Sequence, residues 1–281
     1  MLRAGPLSDE RILRLANRRF VPFFFDLSTS GAVGDKDART FVVKARKELG
    51  GGGVPTPPVL FMNADGEVLG EVDNYASADA VFAAMKKILA GHPELAKESE
   101  DEKKLQGLER AEFLVDLGDL DGAKAILEKE TGAKAAYALG RVLRLQKEFD
   151  AADKAFEKVD DKELADDVRV EKAWRHWVAF DAGKLLGALK DFPKESNRWT
   201  EARYLEGLAL FHSDEKDKAC DLWKETIAAS KVQDRWLYRA DWAYCGVKEK
   251  GGGSFSSAKK GASCLGRIGY MGNRNPDLKK H

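Results

Sequence analysis

The feature that most restricts this chain is a recurrence of small and large apolar residues through its second half. Leu139, Gly140, Leu143, Phe149, Ala152 and Phe156 form one unit. Ala111, Leu114, Leu120, Ala123 and Leu127 repeat it 29 residues earlier, counted from Ala152 back to Ala123. Gly207, Leu210, Ala219 and Trp223 repeat it 67 residues later, counted from Ala152 to Ala219. That gap is close to two periods of ~34. A degenerate unit fits between, around Ala173, Trp177, Leu185 and Leu189, and a fifth first helix is expected from Trp236 to Tyr244. Each unit reads as a helix pair. No pair can bury its apolar face alone, so neighbouring pairs must stack.

The first hundred residues follow a different pattern. Ser8, Asp9 and Glu10 look like a helix start, with a capping serine and acids in the first turn. Ile12, Leu13, Leu15 and Ala16 supply its apolar side. Val21 to Leu27 is a short apolar run of the kind found in strands buried on both faces. Ala38, Phe41, Val42, Ala45 and Leu49 recur at helical spacing, and Gly50 to Gly53 end that helix. Val59–Met62 and Glu67–Val72 bracket Asn63-Ala64-Asp65-Gly66, a hairpin signal. Ser77 then caps a helix with Val81, Phe82, Met85, Ile88 and Leu89 on one face. The order is helix, strand, helix, strand, strand, helix.

These patterns divide the chain into residues 1–95, a charged linker over 96–104, helical repeats over 105–246, and a Gly-rich basic tail over 247–281. Lys+Arg and Asp+Glu both number 47, so the net charge is zero. That argues against nucleic acid as the partner, because no whole-protein field would steer it. From Lys248 to His281 there are eight basic and two acidic residues, which reads as a solvated tail or, alternatively, as a segment for an anionic partner. No apolar run approaches the ~18–20 residues of a membrane span. The first residues lack the apolar core of a signal peptide, so cytoplasmic residence is expected, with export the alternative if the true start lies upstream of residue 1.

Gly53 to Val68 resembles the Thr-(cis-Pro)-strand-turn-strand segment of thioredoxin-like proteins, with Thr56, Pro57 and Pro58 at the bend. The resemblance covers roughly residues 3–90. It implies a cis bond at Pro57, or at Pro58 if the register differs, with adjacent backbone that pairs with bound peptide. The departure from the family is large. The family's Cys-x-x-Cys pair and the strand before it have no counterpart, and no cysteine precedes Cys220. Without a low-pKa thiolate there is no nucleophile for disulfide exchange. Two readings stand: a degenerate, non-redox domain, or a cysteine pair encoded upstream of residue 1.

The repeat offsets resemble the tetratricopeptide motif. The domain order resembles that of the bacterial chaperedoxin type of co-chaperone, in which a thioredoxin-like domain precedes such repeats. The fold expected is therefore a truncated thioredoxin-like α/β domain followed by an all-α, tetratricopeptide-like helical solenoid. The function implied is a non-catalytic adaptor or co-chaperone gripping a protein or peptide. The alternative is a thiol–disulfide oxidoreductase with its cysteines upstream.

All six tryptophans follow residue 170. Trp174, Trp177, Arg198 and Trp199, with Arg175, are candidates for a peptide groove, because aromatic and Arg residues dominate interface hot spots. The competing reading is packing between repeats. Cys220 is expected to be a buried, inert thiol. The four histidines show no metal-ligand spacing, and no cofactor is expected.

Overall fold

The structure, a computed structural model, describes residues 9–22, 40, 43, 44, 47, 59–72, 77–230 and 235–248. Thr56, Pro57 and Pro58 lie outside these residues. So do residues 23–27 of the strand expected from Val21 to Leu27, whose first two residues are exposed and in no strand, the apolar face from Ala38 to Leu49, and the basic tail beyond Lys248; Val247 and Lys248 are helical instead. The chain separates into two compact units, one running to Ser99 and the other starting at Glu100.

In the first unit, α1 (Glu10–Arg19) starts one residue later than the serine cap expected. Its cap is Asp9, whose carboxylate accepts from the Arg11 amide at 2.9 Å. The same carboxylate also receives the Arg11 guanidinium, at 3.0 Å, which ties that side chain to the helix start. The hairpin pairs β1 (Val59–Met62) with β2 (Val68–Val72) antiparallel, Phe61 opposite Gly70, with a register shift between Phe61 and Met62. Asn63 organises the turn. Its side-chain oxygen accepts from the amides of Asp65 (3.1 Å) and Glu67 (2.9 Å). Gly66 sits at φ 82°, a conformation that costs glycine little.

Helix α2 (Ala78–Gly91) is capped by Ser77 and lays Ile88 over Gly70 of β2. Ile12, Leu15, Phe61, Val81, Met85, Ile88 and Leu89 form the buried core, each large side chain contributing ~1.5–3 kcal/mol. Arg11 joins α1 to α2 through Asp79 at 2.8 Å. After α2 come two short helices, α3 (Pro93–Ala96) and α4 (Glu100–Lys104), so the charged stretch 96–104 is partly helical rather than a plain linker.

The second unit is a row of helix pairs: α5 (Gly107–Asp116) with α6 (Leu120–Leu127), α7 (Ala133–Leu145) with α8 (Phe149–Phe156), α9 (Ala165–Val178) with α10 (Ala182–Leu189), and α11 (Trp199–His212) with α12 (Lys216–Ala229). Helix α13 (Arg235–Lys248) follows. Each helix packs on the next, and the first helices of successive pairs also touch.

One rule closes every pair. A small residue on the first helix meets a large one 16 positions later on the second: Ala111 and Leu127, Gly140 and Phe156, Ala173 and Leu189, Gly207 and Trp223. All eight are buried. A Cβ added at Gly140 would lie 2.6 Å from Phe156 Cδ1, and one at Gly207 would lie 2.7 Å from Trp223 Cδ1. Neither is a tolerable distance, so the two aromatic rings require glycine opposite them.

The turn inside each pair is equally regular. Gly118, Lys147, Phe180 and Asp214 each follow the small residue by seven positions, and each has a positive φ (72°, 67°, 56° and 62°). The next amide bonds back five residues to Leu114, Leu143, His176 and Leu210 at 2.8–2.9 Å. This left-handed closure satisfies the last carbonyls of the first helix. Only the first pair uses glycine for it.

Candidate functional site

The first helices α7, α9, α11 and α13 carry a continuous stripe of charged and aromatic side chains. Its centre is Glu171 of α9, only 1% exposed although formally charged. It sits one position past buried Val170 and two before buried Ala173, so the apolar periodicity of α9 carries it inward. Three arginines meet its carboxylate. Arg141 of α7 approaches at 3.6 Å, Arg198 at 3.2 Å, and Arg144 of α7 donates from Nε.

Arg198 is the hub. It caps α11 and reaches four partners on three helices. Its Nε donates to Glu201 at 2.6 Å, and Nη1 donates to Asp167 of α9 at 2.8 Å and to the Tyr137 hydroxyl of α7 at 3.3 Å. Nη2 donates to Glu171. Burial opposes its charge, but the carboxylates of Glu201 and Glu171 outweigh burial, and the guanidinium pKa is raised. Burial, then the charge of Glu171, pushes the Tyr137 hydroxyl pKa up, so it keeps its proton and donates to Asp167 at 3.5 Å. Arg141, Arg144 and Arg198 face Asp167, Glu171 and Glu201, so the formal charges of the six cancel. Buried charges persist only when paired in this way.

The stripe continues into rings. The Trp174 indole N–H donates to Glu201 at 2.6 Å. The Trp174 ring lies 5.4 Å from that of Trp236 on α13, and Tyr204 lies 5.8 Å from Trp236. Two arginines of α13 stack on the same indole, Arg235 at 4.5 Å and Arg239 at 4.9 Å, and Arg239 also covers Tyr204 at 5.9 Å. Tyr204 is buried; Trp174, Trp236 and both arginines are half-buried.

The sequence candidates divide. Trp174 and Arg198 belong to the stripe. Trp177 does not: it is 3% exposed, packs in the core with Leu185 and Leu189, and meets His212 edge-on at 4.5 Å. Although residues three apart on a helix share a side, the Trp177 ring is packed into the core while the Trp174 ring turns to Trp236, so the two do not line one groove. Trp199 opens α11 with Lys194 5.8 Å from its ring. Arg175 pairs with Asp150 and Asp153, bridging to α8. Sequence reasoning missed Tyr137, Arg141, Arg144, Asp167, Glu171, Glu201, Tyr204 and Trp236. The available signal was Glu171, a charge placed among core positions.

Cys220 is buried, 4% exposed. Among the described residues, no three His, Cys, Asp or Glu side chains gather as a metal site, and no helix is long and apolar enough to cross a membrane. No protein-family model, curated protein or solved structure matches the chain.

Proposed function

We propose that this chain is a non-catalytic protein-binding adaptor or co-chaperone. In this reading residues 6–99 are a redox-inactive, thioredoxin-like unit, and the helix pairs are a tetratricopeptide-like solenoid that binds a protein or peptide along its first helices. The observation that carries it is the stripe from Tyr137 to Arg239, which spans four first helices and ends in half-buried tryptophans and arginines. That composition favours interfaces: large rigid rings give contact area at low entropic cost, and guanidinium groups add directed hydrogen bonds. The regular stacking supports it too, because a row of helix pairs offers an extended surface.

The test is suppression of aggregation. Heat-denatured citrate synthase is followed by light scattering with equimolar full-length protein. Suppression that falls in a Trp174→Ala, Trp236→Ala variant of unchanged helicity is the expected result. No suppression by the wild-type chain overturns the co-chaperone reading. Reduction of insulin disulfides by the chain overturns the non-catalytic one.

A further inference from the structure

We propose that the joint between α7–α8 and α9–α10 is a hinge, at which two apolar bodies of the helix row are coupled by charged groups. The hinge goes beyond the adaptor reading and does not depend on it. From α9 to α13 the core is one continuous cluster, in which Val170, Trp177, Leu189, Leu205, Trp223 and Ala240 are all buried. The first two pairs are also joined by apolar residues: Ala138, Leu139 and Val142 of α7 pack with Ala111, Ala123 and Leu127. Between these two bodies the core is interrupted. Leu143, Ala152, Ala155 and Phe156 close α7 on α8, and Val168 is the one described apolar residue of α9 packed against them.

Polar groups hold the rest of that joint. Tyr137 donates to Asp167 at 3.5 Å, Arg198 donates to Tyr137 at 3.3 Å, and Arg141 and Arg144 meet Glu171. Arg175 of α9 spans to α8, reaching Asp150 at 3.3 Å and Asp153 at 2.9 Å. The two kinds of joint open at different cost. Parting apolar faces returns them to water at ~25 cal/mol per Å². Parting ion pairs restores hydration to each charge, so the desolvation penalty of closing is recovered. Directed, charge-assisted hydrogen bonds still give the closed joint a preferred geometry. Bending therefore costs least between α8 and α9. The stripe crosses this joint, so the hinge sets the spacing between its Arg144 end and its Trp236 end.

The experiment measures distances in the full chain by double electron–electron resonance. Genetically encoded spin labels replace Ala125, Lys154, Gly187 and Asp221, two at a time. All four positions are exposed, and each lies two residues before the large residue that closes its pair. A Cβ at Gly187 meets nothing within 4 Å, so a side chain fits there. The expected result is a wider distance distribution between positions 154 and 187 than between 125 and 154 or between 187 and 221. A distribution across 154 and 187 no wider than the other two overturns the hinge. In a second arm, Arg144→Leu with Glu171→Leu removes one charge of each sign and adds apolar area to the joint. The distribution across 154 and 187 should then narrow toward the others. An unchanged width in that variant, with circular dichroism matching the wild type, overturns the ionic origin of the hinge.

Discussion

Two helix pairs close on glycine and two on alanine. In α7–α8 and α11–α12, Gly140 and Gly207 face the rings of Phe156 and Trp223. In α5–α6 and α9–α10, Ala111 and Ala173 face Leu127 and Leu189, and all four are at most 2% exposed. The sites are equivalent in position and differ in how the same gap is divided between the two helices. Where the second helix brings a ring, the first gives up its Cβ. A dense interior tolerates neither a void nor an overlap, so a larger residue on one helix goes with a smaller one on the other. The residue types are free to trade.

The largest expected effect breaks a glycine pair from the ring side. Trp223→Ala should cost ~3–5 kcal/mol, since it leaves a cavity beneath α11 and removes the indole hydrogen bond to the Tyr204 carbonyl. Urea titration followed by circular dichroism measures it. Next comes the joint between pair types: Arg198 ties α7 and α11, of the glycine pairs, to α9, of an alanine pair. Arg198→Ala should cost ~3 kcal/mol by stranding buried carboxylates. A loss under half of that would show Arg141 and Arg144 to be sufficient for Glu171.

The comparison is sharpest in a repair. Gly207→Ala alone should destabilise by ~1–3 kcal/mol through overlap with Trp223. Gly207→Ala with Trp223→Leu recreates the alanine–leucine pairing and should recover most of that loss. A double variant no better than the single would refute the volume trade.

Smaller effects come from the turns. Lys147→Gly and Asp214→Gly should each raise stability by ~0.5–1 kcal/mol, because the native φ is positive there, whereas Gly118→Ala should lower it by a similar amount. The smallest is a pH effect. Burial, and then the charge of Arg175, lower the pKa of His176. The unfolded chain therefore takes up a proton first as pH falls. Stability is fully present above the ordinary imidazole value and is lost as pH drops through it toward the lower folded value. His176→Gln should flatten the thermal midpoint between pH 7 and 5; an unchanged slope would assign it to other groups.

Parts of this were legible in the residues. The hairpin around Asn63–Gly66 and the Ser77 cap were readable because turn and cap chemistry is local. The buried alanines and glycines of the pairs were readable because their spacing is fixed by the helix period. The left-handed turns at Lys147 and Phe180 were not, since neither residue favours that conformation, and Asp214 only tolerates it; the stacked helices impose it.

The sequence by itself determined the hairpin turn, which positions of the helix pairs face inward, and the interval at which pairs recur, because each depends on neighbours a few residues apart. Only the tertiary structure decided which charges meet. Arg198 finds Tyr137 across 61 residues, and Trp236 reaches Trp174, because stacking places successive first helices side by side. It also separated Trp174 from Trp177, one in the stripe and one in the core. Those partnerships depend on the register between pairs, which is set by packed volume summed over many residues rather than by any local pattern.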